Sequence, residues 1–225
     1  MKTPHTTKIG SLILVAAILG TGLIIAASSL VRVADPCPIV RGATVVLDPG
    51  HGGEDTGALN GSLVEAELTL DIARQTASLL RQHGLSVALT RDDLETTLGN
   101  SERGRIANSC EASVFVSIHL NSFDDPDVNY VKTFWATEEK DVVFAQTMQL
   151  VQAAALRPGT DLGDSGVEFF ESGALLTAEM PGALTESVFL SNTDEAARLA
   201  DPSEQRLDEI AISLANGILR WFGLA

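Results

Sequence analysis

Ala43-Thr44-Val45-Val46-Leu47-Asp48-Pro49-Gly50-His51-Gly52-Gly53 is the stretch on which the fold turns. Ala43 to Leu47 has the apolar, β-branched character of a strand buried on both faces, and Asp48 to Gly53 breaks it sharply. Downstream, Glu65 to Gln82 carries Leu68, Ile72, Leu79 and Leu80 near helical spacing, with a stop at His83-Gly84. Ser86 to Thr90 reads as the next strand. Ser101, with Glu102 in the first turn behind it, predicts the cap of a helix reaching Asn108. Val114 to Ile118 is a third strand, ending at His119, and Val131 to Ala136 a fourth. A helix from about Asp141 to Leu156 is stopped by Arg157-Pro158-Gly159. Ala183 to Phe189 reads as a late strand and Ser203 to Phe222 as the closing helix. This alternation predicts a single α/β domain with a mostly parallel central sheet and helices on both faces. There is no internal repeat and no low-complexity segment.

Composition agrees with a folded domain. Of 225 residues, 45% are apolar and 20% charged, which is too apolar for a disordered chain. The 30 acidic residues against 15 basic ones exclude a nucleic-acid binder, which needs clustered Lys and Arg. Residues 1–34 read separately. Ile9 to Val31 runs 23 residues without a charge, between Lys8 and Arg32, long enough for a hydrophobic helix that crosses a bilayer. It reads as an N-terminal signal anchor or, given the small residues Ala26-Ala27-Ser28-Ser29, as a cleaved signal peptide. A buried core helix is the third reading. Either leading reading carries the rest of the chain out of the cytoplasm, to a membrane-tethered, secreted or periplasmic position. Residues 35–42 then form a short linker and 43–225 the catalytic domain. Setting aside 1–34, which hold Lys2, Lys8 and Arg32 and no acid, raises the acidic excess from 15 to 18. Cys37 and Cys110 can pair in an oxidising compartment or remain two thiols.

In mostly parallel sheets the chemistry lies beyond the carboxyl ends of the strands. That rule singles out His51 after the first strand, His119 at the end of the third and Glu186 in the late one, with Glu65 opening the first long helix. Two imidazoles and a carboxylate can hold a catalytic zinc ion, and a further carboxylate can take a proton from water. Spacing alone is weak support, since 14 residues separate His51 from Glu65 and 54 separate Glu65 from His119. A histidine at a strand end can equally be a structural hydrogen-bonding residue. Glu65 can be an acid favoured by the helix dipole, and Glu186 an exposed residue of an edge strand.

Six blocks, in order, resemble the zinc-dependent N-acetylmuramoyl-L-alanine amidases of the amidase-3 family. They are Val45 to Gly53, Val64 to Leu70, Leu89-Thr90-Arg91, Glu102 to Asn108, Val116 to Ser122 and Leu184 to Asn192. The resemblance implies that His51, Glu65 and His119 bind Zn2+ and that Glu186 is the general base. The bond cut would be the amide between N-acetylmuramic acid and L-alanine in peptidoglycan or a muropeptide. Val188 stands where the family commonly has Gly, and Ala66 where Lys is frequent; neither is a ligand position. Only Phe123 to Tyr130 separates the His119 block from the next strand, so no built-in plug is expected; an activator protein is possible but not indicated. Two further readings stand beside the enzyme: a non-catalytic wall-binding module of the same fold, and a zinc peptidase acting elsewhere in the stem peptide.

Other residues have plainer readings. His83 is expected at a helix C-terminus and His5 in a solvated tail. Asp48 and Asn121 can orient an imidazole, or Asp48 can simply form a turn. Arg91, Arg103 and Arg105 can steer an acidic substrate or lie on solvated faces. Trp135, Trp221 and Phe222 are expected in the core.

Overall fold

Six strands build one sheet in the order β4-β1-β5-β8-β6-β7 in a computed structural model that describes Cys37 and residues 45–224. The strands are β1 (Val45–Pro49), β4 (Val87–Leu89), β5 (Val114–Asn121), β6 (Tyr130–Trp135), β7 (Gly163–Phe169) and β8 (Gly182–Phe189). A separate two-stranded ribbon joins β2 (Leu59–Asn60) to β3 (Leu63–Val64). Six helices complete the fold: α1 (Glu65–Gln82), α2 (Asn100–Ser109), α3 (Glu138–Leu156), α4 (Gly173–Thr177), α5 (Thr193–Ala200) and α6 (Arg206–Trp221). β4, β1, β5 and β8 run parallel, β6 runs antiparallel to β8, and β7 is parallel to β6. The sheet is therefore mostly parallel, as the sequence predicts.

Period-two alternation divides the sheet into two faces. Val45, Leu47, Val116, Ile118, Ala183 and Val131 point to one side, where Ile72 of α1, Phe144 and Met148 of α3, and Leu214 and Ile218 of α6 cover them. Val46, Phe115, Leu184 and Phe134 point to the other, against Ala107 of α2 and Ala174 and Leu175 of α4. α2 and α4 span only 10 and 5 residues. They cover the amino-terminal half of that face and leave its carboxyl-terminal half open as a cleft, where Ser117, His119, Leu184 and Glu186 emerge.

α1 occupies the residues expected of it, and at its end the His83 N–H donates to the Leu80 carbonyl and the Gly84 N–H to the Arg81 carbonyl. α2 begins two residues early: Gly99 is its cap, and the Gly99 carbonyl accepts the N–H groups of Glu102 and Arg103, so Ser101 lies within the first turn. Cys37 and Cys110 form a disulfide, with Cα atoms 5.1 Å apart. Trp221 packs edge-on against Phe144, and Trp135 and Phe222 also lie against the main core. The expected N-terminal hydrophobic helix lies outside the described residues. Among the described residues no helix is long and apolar enough to cross a membrane.

Candidate metal centre

The carboxyl end of β1 runs into a turn that glycine makes possible. His51, Gly52 and Gly53 all have positive φ, at 61°, 121° and 62°. For His51 that conformation costs about 1–2 kcal/mol, and two buried guanidinium groups hold it. Arg91 donates from Nε to the His51 carbonyl at 2.8 Å and from Nη2 to the Gly50 carbonyl at 2.8 Å. Arg103 donates to the Pro49 and His51 carbonyls at 2.9 and 2.8 Å. Asp48 completes the clamp: buried in β1, it pairs with Arg103 at 2.8 Å and accepts from Thr90 and Ser117. Neither sequence reading of these residues holds. Asp48 orients no imidazole, and Arg91 and Arg103 are 3% and 4% exposed rather than available to substrate. Arg105 is exposed. Asn121 also leaves the imidazoles alone, its Oδ1 accepting from the Ser122 N–H.

His51 thus leans over the end of the sheet toward Glu65, the first residue of α1. The Glu65 carboxylate accepts the N–H of Ala58 at 2.9 Å and that of Leu120 at 3.1 Å, which fixes both oxygens. Its Oε1 lies 3.0 Å from His51 Nε2 and 3.2 Å from His119 Nδ1, and those two nitrogens are 3.1 Å apart. Two imidazole nitrogens this close, both against one carboxylate oxygen, converge as lone pairs do on a shared cation. The group His51, Glu65 and His119 can hold a metal ion. Burial pushes the Glu65 carboxyl up, but hydrogen bonds and charge from His119 and His51 outweigh it and hold the group well below the usual carboxylate range. Burial pulls the His51 imidazole down, and Glu65 and Asp55 more than reverse that.

Asp55 is the residue that sequence reading missed. Its Oδ2 lies 2.9 Å from His51 Nδ1, the ring nitrogen turned away from the cluster. A carboxylate at that position fixes the tautomer and aim of a metal-binding imidazole. Its place four residues after His51, inside the glycine-rich loop, was the available signal.

Glu186 stands directly opposite His119 in the β5–β8 register, so both side chains leave the same face. They line a cavity of about 550 Å³ whose far wall includes Phe134, Phe170 and Ser172. The Glu186 Oε2 is buried and has no hydrogen-bond partner among the described residues. Burial first, and then the negative charge of Glu65, push its carboxyl well above the ordinary range.

Fold and cluster together define a class: an α/β protein that gathers, at the carboxyl ends of its strands, a His-Glu-His group able to hold a metal ion. Comparison supplies the family. Residues 45–220 match the family profile described as N-acetylmuramoyl-L-alanine amidase, and the chain belongs to that family. It is 34% identical over 201 residues to the germination-specific N-acetylmuramoyl-L-alanine amidase of Bacillus subtilis, covering 81% of each chain. The catalytic domain of the amidase CwlV from Bacillus (Paenibacillus) polymyxa superposes with a TM-score of 0.72 at 33% identity, over 80% of this chain and 98% of that one. The CwlD amidase of Clostridioides difficile, solved in complex with the GerS lipoprotein, gives 0.72 at 27% identity over 82% and 100%.

Proposed function

We propose that the protein is a zinc-dependent amidase that hydrolyses the bond between N-acetylmuramic acid and L-alanine in peptidoglycan, outside the cytoplasm. Family membership supports the activity, and the apolar run at residues 9–31 supports export. The observation that carries the mechanism is one cavity holding three converging donors and a separate carboxylate whose buried Oε2 has no hydrogen-bond partner among the described residues. His51, Glu65 and His119 would hold the zinc. Mixed nitrogen and oxygen donors suit that ion, and bonds of about 2.0–2.2 Å to it sit well with donor pairs 3.0, 3.1 and 3.2 Å apart. Bound zinc supplies Lewis acidity, polarising a carbonyl and making water a stronger acid.

The chain's own residues do the rest. Glu186 takes a proton from the water that attacks the carbonyl carbon. Its poorly solvated carboxylate binds that proton more readily than an exposed one does. It then gives the proton to the amide nitrogen as the C–N bond breaks, leaving a lactyl carboxylate and the free amine of L-alanine. Asp55 keeps His51 aimed, and the Arg91–Arg103 clamp keeps its backbone in place.

The test is the purified full chain in detergent, loaded with zinc, acting on intact peptidoglycan with products read by mass spectrometry. Stem peptides with a new L-alanine amine establish the amidase, and cleavage elsewhere in the stem makes it a peptidase. Glu186→Gln should still bind one zinc while kcat falls about 10²- to 10⁴-fold. A wild-type protein that binds zinc and releases nothing would leave a wall-binding role.

A further inference from the structure

The row of side chains that begins at the metal cluster does not end at Glu186. Lys132 of β6 is the direct partner of Glu186 in the β6–β8 register, as His119 is on the other side. His119, Glu186 and Lys132 therefore stand side by side on three neighbouring strands and share one face. The next row inward, Leu184 and Phe134, lines the cavity. Lys132 accordingly stands one row outward of those lining residues, next to the carboxylate assigned the proton transfer above.

The other cations of the described residues are committed elsewhere or distant from this row. Arg103, the one guanidinium in the cavity wall, is buried against Asp48 and backbone carbonyls. Arg91 is likewise buried among carbonyls. Lys140 is held by Asp141 and the Leu175 carbonyl, and Asp141 also accepts the N–H of Gly182 at the opposite end of β8. Lys132 differs. Its side chain is only 15% exposed and its ammonium lies 5.4 and 5.6 Å from the ring centroids of Tyr130 and Phe134, so its position is set by packing. Its one ion-pair partner among the described residues, Glu168 of edge strand β7, is 59% exposed. An ion pair with one partner in solvent contributes little and exchanges readily. A prepositioned cation beside the catalytic carboxylate, lightly held by a replaceable carboxylate, is the arrangement of an anion subsite.

Resting on the amidase reading above, we propose that Lys132 binds a carboxylate of the stem peptide, displacing Glu168, and thereby positions the scissile amide. The occupant is on the peptide side of the bond because the glycan side offers hydroxyl and acetamide groups and no carboxylate beyond the one in the scissile amide. With an acidic excess of 18 in residues 35–225, an anionic peptide is otherwise repelled, so one local cation should dominate its recognition.

The experiment compares two muramoyl-peptides that differ only in whether the carboxylate next along from L-alanine is free or amidated. The full-length zinc-loaded protein should show a KM about tenfold lower for the free acid, equivalent to about 1.4 kcal/mol. Lys132→Met keeps the apolar stem and should erase that preference by raising KM for the acid alone, with kcat within about twofold, while Lys132→Arg should restore it. Glu168→Gln should lower KM for the acid. As a readout apart from turnover, the Glu186→Gln protein should bind the free acid stem peptide more tightly than the amide, and the double variant with Lys132→Met should not. Equal KM values for both substrates in the wild type, or equal losses on both in Lys132→Met, overturn the assignment. If the wild type hydrolyses neither substrate, the amidase reading fails, and the Lys132 assignment with it.

Discussion

At the scale of single residues, the cluster is held by an outer layer of contacts whose removal should be measurable without touching a ligand. Asp55 is 60% exposed in its side chain and joined to His51 Nδ1, so its loss should leave the fold intact. Asp55→Ala should weaken zinc binding about 10- to 100-fold, read by competition with a chromogenic chelator, while the melting temperature of the metal-free protein stays within about 2 °C. Unchanged zinc affinity would show that His51 needs no outer partner. The ligand candidates were legible in the sequence because each sits at a strand end or helix start inside a block with a family pattern. The roles of Arg91 and Arg103 were not, although both residues stand inside such blocks. A clamp made of side chain to backbone carbonyl contacts 40 and 52 residues apart has no local periodicity to betray it.

At the scale of elements, the loop from β1 to the β2–β3 ribbon is built to let His51 and Glu65 meet, and Gly57 is the glycine of that loop that lies against both of them. Its φ is +66°, and a Cβ there would lie 2.6 Å from His51 Cδ2 and 2.7 Å from Glu65 Oε2. Gly57→Ala should therefore push both ligands apart and lower zinc affinity by more than tenfold. Gly61→Ala is the control. Gly61 has the same sign of φ, +60°, but open space around its Cβ, so this variant carries a backbone strain of about 1 kcal/mol and spares the zinc. Equal zinc affinity in the two variants, measured with the same chelator, would rule out crowding at Gly57. The long elements were readable because α1 and β5 bury a regular pattern. β7 was not: it is an edge strand with a mostly exposed pattern and Gly163 and Gly166 in place of alternating apolar residues. α4 spans 5 residues, too few for a helical period to show, and the short α5 went unrecognised before the closing helix.

At the scale of the molecule, the sequence carried the class and order of layers, because alternation of strand and helix patterns is a property of the whole chain. The pairing of Cys37 with Cys110 could not be read that way, since it depends on Cα atoms 73 residues apart coming within 5.1 Å. That bond ties the segment ahead of β1 to the end of α2, the helix that carries Arg103. Closing a loop of this length removes chain entropy from the unfolded state, worth about 4 kcal/mol in the simplest account and about 2–4 kcal/mol in typical measurements. Such a bond is stable in an oxidising compartment and is rarely retained in the cytoplasm, in keeping with action on the wall. Cys110→Ser should lower the melting temperature by roughly 5–15 °C for a domain of this size. Cys37→Ser should match it, and a reductant should bring the wild type down to the same value while leaving both variants unmoved. Since Cys110 belongs to the buried cluster of Ala107 and Ala112 and does not line the cavity that holds the metal donors, kcat at 25 °C should stay within about twofold. A wild type whose melting temperature ignores the reductant, with both thiols shown to be reduced, would mean that the bond adds no stability and that the contacts of α2 alone hold the Arg103 clamp.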